Sequence, residues 1–86
     1  MNKAVVFTHH AELKLLILNK HGFKISKQTV QEVLQQADRI RQGYAGRKIA
    51  ERIITHEHLL RVVFEEVSSE IKVITMYPAR RGRYEN

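Results

Sequence analysis

Apolar and polar positions change their spacing along the chain, and each change marks a new element. Val5 to Thr8, in AVVFTHH, is a short β-branched and aromatic run and predicts a first strand. HHAELKLLILNKHG then follows, rich in Leu, Glu, Lys and Ala, and predicts a helix from His9, with Thr8 as its cap. Leu13, Leu16 and Ile17 fall on one stripe of that helix. Gly22, preceded by Lys20 and His21, is placed to end it, with cations where the dipole favours them. Ser26 opens a second helix, SKQTVQEVLQQA, whose Val30, Val33, Leu34 and Ala37 recur at i, i+3, i+4 and i+7.

After Asp38 the period shortens. Arg39 to Gln42 predicts a weak strand, Gly43 to Gly46 a turn, and Arg47 to Ile54 a strand. Thr55 to His58 reads as a second turn, and Leu59 to Glu66 as a strong strand. Val67 to Ser69 turns the chain into a last strand, Ile71 to Tyr77. That strand is apolar on both faces, which predicts an interior position in the sheet. Pro78 has no N–H for a ladder, so the strand is expected to stop there. The order is strand, helix, helix, then four strands. It predicts an α+β domain with two helices on one face of an antiparallel sheet.

Composition narrows the class. The 86 residues suit one domain spanning 1–86, with a modest core. The hydrophobic fraction, 43%, is too high for a disordered chain. No apolar run approaches a membrane span, and MNKAVVFTHH lacks the pattern of a secretory signal, so no membrane association is expected. The absence of cysteine excludes disulfides and thiolate metal sites and fits a cytoplasmic protein. Fifteen Lys and Arg against nine Asp and Glu give a net charge of +6. Such a balance points to nucleic acid or an acidic protein as partner.

The chemistry-bearing residues are few. GxSxG, a P-loop and a dinucleotide glycine fingerprint are all missing. Glu65 and Glu66 are adjacent on a strand and face opposite ways, so they form no acid–base pair. His56 and His58 form an HxH, but at a turn, without a carboxylate cluster or cysteine nearby. Neither a metal nor another cofactor is expected. His10, near a helix N-terminus, is either a proton carrier or a packing and capping residue. Arg61 lies inside the strong strand LLRVVFEE, where a charge needs a partner, an edge or a cleft. It pairs with Glu51 or Glu65, or it joins Arg47 and the C-terminal cluster Arg80, Arg81 and Arg83 on a phosphate-binding surface. Tyr77 and Tyr84 would add hydroxyls and stacking faces there. A solvated tail is the alternative for that cluster.

Three pieces of the sequence resemble a family of small bacterial domains. They are Phe7-Thr8-His9-His10-Ala11-Glu12, Gly46-Arg47-Lys48-Ile49-Ala50, and Leu60 to Glu65 together with Lys72 to Tyr84. That family carries a His-Ala near its start, a Gly-Arg hairpin and an ending Val-Ile-Thr-x-Tyr-Pro-x-x-Arg-x-Arg-Tyr. Lys20-His21-Gly22 and the ending Arg-Arg-x-Arg-Tyr-Glu are also similar to BrnT-type toxins. Both groups look like members of the RelE/ParE toxin superfamily. The resemblance implies a RelE-like fold, with an N-terminal strand and two helices on one face of a mostly antiparallel sheet of four or five strands. It implies the toxin of a type II toxin–antitoxin pair, held by a cognate acidic antitoxin. RelE-like members are metal-independent endoribonucleases that cleave mRNA, many of them in the ribosome, and so inhibit translation. ParE-like members inhibit DNA gyrase instead. The matching positions imply catalytic roles for Arg61, Arg81 and Tyr84. His10 matches the bacterial domain family. Arg47, Lys48, Tyr77, Arg80 and Arg83 are implied contacts to RNA phosphates. Arg47-Lys48 departs from the lysine pair of RelE. A non-cleaving gyrase inhibitor and a basic RNA- or protein-interaction module are the alternatives.

Overall fold

The computed structural model describes residues 3–82. Its elements are β1 (Ala4–Phe7), α1 (His9–Lys20), α2 (Lys27–Gln35), β2 (Arg39–Gln42), a short 3-10 turn (Tyr44–Gly46), β3 (Lys48–Ile53), β4 (His58–Val67) and β5 (Glu70–Arg80). The strands form one five-stranded sheet in the order β1-β5-β4-β3-β2. β2 to β5 are joined antiparallel, whereas β1 lies parallel to β5, so the sheet is mixed. Over the described residues the fold is α+β, with five strands and two α-helices.

The helix boundaries follow from local chemistry. Thr8 caps α1 by accepting a hydrogen bond from the Ala11 N–H at 3.1 Å. The same hydroxyl donates to the Ile74 carbonyl at 3.2 Å, tying the helix start to β5. Ser26 caps α2 in a reciprocal box with Thr29. Gly22 follows α1 at φ +94°, a conformation that side chains rarely adopt, and closes the helix.

One face of the sheet carries both helices. Ala11, Leu15 and Leu18 of α1 and Val30 and Val33 of α2 pack on Ala50, Leu60, Val62, Phe64, Val73 and Met76. The stripe expected on α1 points the other way. Leu13, Leu16 and Ile17 are 45%, 67% and 49% exposed. The helix is apolar on two sides, and the side bearing the small, fully buried Ala11 is the one that lies against the sheet.

The last strand also differs from expectation. β5 continues through Pro78 to Arg80, with Pro78 opposite Leu60. β1 ends opposite Val73, and among the described residues no strand pairs with β5 on that side beyond it, so a residue without an N–H breaks no ladder there. A register shift between Val63 and Phe64 places Thr75 and Val73 opposite them and leaves Ile74 as the extra residue of a bulge. Arg83 and Tyr84 lie outside the described residues.

Candidate nucleic-acid interface

Alternation along β4 sends Leu60, Val62 and Phe64 to the helices and Arg61, Val63 and Glu65 to the opposite face. The helices pack against the other side of the sheet. The registers then align four side chains across this open face: Arg39 opposite Glu51, Glu51 opposite Arg61, and Arg61 opposite Tyr77. β2, β3, β4 and β5 contribute one residue each.

Glu51 is the charged residue buried in the row, at 4% exposure. Its Oε2 lies 2.8 Å from Arg61 Nε, and its Oε1 lies 3.4 Å from Arg41 Nε. The Arg61 contact is close but not aligned as a hydrogen bond, so it acts through charge. The Arg61 side chain is 15% exposed, and its guanidinium sits 5.4 Å from the centre of the Tyr77 ring. Arg41 and Arg61 thus flank one carboxylate, and Arg39 lies across the ladder from it. A depression of about 80 Å³ beside it is lined by Asp38, Arg39, Glu51, Arg52, Ile53 and Leu59. The larger cleft, about 560 Å³, lies on the helix side between Phe23, Ile25, Val33 and Ile54, away from these arginines.

The other sequence-predicted residues are spread more widely. Arg47 shares the open face but reaches Glu65, with Nε 3.6 Å from Oε2. Lys48 is opposite Phe64 and so belongs to the helix side, where its Nζ lies 2.6 Å from Glu66 Oε1. Lys3 approaches the other oxygen of Glu66 at 3.1 Å. Hydrogen bonds from Lys48 and Lys3, with their charges, hold the Glu66 carboxyl below its ordinary value of 4.5. Arg80 pairs with His58, six residues along β4 from the partner of Lys48, a separation of about 20 Å. Arg81 is fixed at the β3–β4 turn: its N–H donates to the Glu57 carbonyl at 2.9 Å and its Nη1 to the His56 carbonyl at 3.1 Å. His10 is exposed in the first turn of α1, in the helix layer on the other side of the sheet from Arg61.

The fold therefore brings Arg61 and Tyr77 together and holds Arg81 at the same end of the sheet. It separates them from Lys48 and from His10. It adds Arg39 and Arg41, which sequence reasoning passed over in a segment taken as a weak strand. The signal was present: Arg39-x-Arg41 places two guanidiniums on one face of any strand. Among the described residues no cluster of three His, Asp or Glu side chains is arranged to hold a metal ion, and no helix is long and apolar enough to cross a membrane. The chain matches no family model, no curated protein and no solved structure.

Proposed function

We propose that the open face of the sheet binds the phosphate backbone of single-stranded RNA and that the chain cleaves it as a metal-independent endoribonuclease. In this reading it is the toxin of a RelE-like toxin–antitoxin pair, acts in the cytoplasm to block translation, and is held by an acidic antitoxin. The observation that carries the reading is the row Arg39–Glu51–Arg61–Tyr77 on the sheet face opposite the helices. Guanidinium forks match phosphate oxygens, and a ring beside them offers a base a stacking surface.

The chemistry that fits is attack of the ribose 2′-hydroxyl on the adjacent phosphorus. The bond to the 5′-oxygen breaks, leaving a 2′,3′-cyclic phosphate and a 5′-hydroxyl. Arg61 and Arg39 stabilise charge developing on the phosphoryl oxygens, and Arg81 holds a neighbouring phosphate. Glu51 holds Arg61 in place. Its carboxylate is buried against the arginines, so the 2′-hydroxyl proton passes to water, and water protonates the departing 5′-oxygen.

The test is incubation of purified protein with naked RNA in EDTA, with mapping of the ends. Cleavage with cyclic phosphate ends, lost in folded Arg61→Ala/Arg81→Ala, is the expected result. Full cleavage by that double variant overturns the assignment. A second reading, a binder without chemistry, is favoured by one observation: His10 lies on the opposite side of the sheet from the arginines. RNA retained on a filter but left intact, on and off the ribosome, supports that reading instead.

A further inference from the structure

The outer side of α1 poses a separate question. Leu13, Leu16, Ile17 and Lys20 stand at i, i+3, i+4 and i+7, so three large aliphatic side chains form one stripe. The inner side of the same helix is already spent on the sheet through Ala11, Leu15 and Leu18. The outer stripe adds nothing to the core and is among the most exposed apolar surface of the described residues. Solvent-facing Leu and Ile grouped on one helix mark a contact surface more often than singly scattered ones do.

The surrounding charges say what fits. Lys20 continues the stripe, and His9 stands at its start. By helical periodicity His10 and Lys14 flank one side, with His21 following at the cap. The other flank carries Glu12 and Asn19. The Glu12 carboxylate is engaged by Lys27 Nζ at 3.0 Å, and Asn19 Nδ2 donates to the Leu15 and Ile25 carbonyls. The charge that the stripe offers to a partner is therefore positive. A second copy of the chain brings the same +6 and the same basic rim, so like charges meet.

We infer that the outer face of α1 is a docking surface for an acidic amphipathic helix of a partner protein. Apolar side chains of that helix, spaced i, i+3, i+4 and i+7, pack on Leu13, Leu16 and Ile17, and its carboxylates face Lys14 and Lys20. The docking surface lies on the helix layer, away from the arginine row, and does not depend on whether that row cleaves RNA.

The experiment uses two labelled peptides with the same leucine pattern, one with Glu and one with Lys at the remaining outer positions. Binding is read by fluorescence anisotropy at low and high salt, and located by methyl chemical shifts. The expected result is micromolar binding of the Glu peptide, weakened by salt, with shifts at Leu13, Leu16 and Ile17. Leu16→Glu, which keeps a good helix former at an exposed site, weakens it about tenfold or more. Lys14→Glu/Lys20→Glu weakens it too and flattens its salt dependence. Equal binding of both peptides, binding of neither, or shifts elsewhere overturns the proposal. So does a dimer in sedimentation that Leu16→Glu dissolves, which makes a second copy the occupant. Retention on anionic phosphatidylglycerol vesicles abolished by Leu16→Glu makes the occupant a lipid surface, and also overturns it. RNA cleavage by Leu16→Glu stays at the wild-type rate, so failure here and failure of the ribonuclease reading are told apart.

Discussion

Glu51 and Arg61 face each other across the β3–β4 ladder, 2.8 Å apart, and both are withdrawn from water. Burial makes the two charges mutually dependent. Each raises the cost of the other's removal, because the survivor is left poorly solvated and poorly paired. The pair also fixes the direction of the Arg61 guanidinium, which would otherwise have several rotamers to choose from.

Glu51→Ala is therefore expected to destabilise the fold by about 3 kcal/mol, and Glu51→Gln by less, since the amide keeps the shape of the side chain. Urea unfolding monitored by circular dichroism measures both. A change below ~0.5 kcal/mol for Glu51→Ala would mean that the ion pair does not anchor Arg61.

Arg39 lies on the exposed edge strand, so its loss is expected to cost little stability. Its effect belongs to RNA. Arg39→Ala should lower affinity for single strands and reduce the slope of log K against log salt by about one, the signature of one phosphate contact. Tyr77→Ala should lower affinity by ~1–3 kcal/mol through lost stacking while leaving that slope unchanged. Filter binding over a salt series separates the two, and an unchanged slope for Arg39→Ala removes it from the interface.

Neighbouring leucines on α1 should behave in opposite ways. Leu15 is buried, and Leu15→Ala is expected to cost ~2–4 kcal/mol through lost contacts and a residual cavity. Leu16 faces solvent, and Leu16→Ala should stay within ~0.5 kcal/mol. Thermal melts of the two variants side by side test which side of the helix carries the core.

Glu66 gives the fold a small acid-sensitive contribution. Its carboxyl titrates below 4.5 in the folded chain, because Lys48 and Lys3 favour the ionised form. The contribution is present above the unfolded value and fades as pH falls through the lowered folded value. Glu66→Gln should therefore narrow its stability gap to the wild type as pH drops below 4.5. A gap that is constant from neutral pH into that acid range would show that the lysines do not act through its charge.

Local chemistry was legible in the sequence and long-range geometry was not. Thr8, Ser26 and Gly22 announced the helix ends because caps act within a few residues. The open alternative for Arg61, a Glu51 or a Glu65 partner, needed the β3–β4 register, which no local pattern fixes. The register gives Glu51 to Arg61 and Glu65 to Arg47. The inner side of α1 was misread for a similar reason: a helix apolar on two sides has no preferred side until a sheet lies under it, and the stripe expected inside, Leu13, Leu16 and Ile17, lies outside. Pro78 misled because its missing N–H counts only where a neighbouring strand needs it. Tyr77 was recognised as a candidate while Arg39 was not, because attention to apolar alternation overlooks the alternation of charge in Arg39-x-Arg41.

β5 lies between β1 and β4, yet among the described strands it comes last in the chain. The β4–β5 hairpin joins near neighbours and can form early, whereas Ala4 must wait for Glu70. Closing that long loop is an entropic cost met only after the hairpin offers an edge. Folding is thus expected to be ordered in time, with β1 docking last. The same edge strand, held by four residue pairs, then opens in the native protein before the strands inside the sheet, and its amides should exchange with solvent ahead of those of β4.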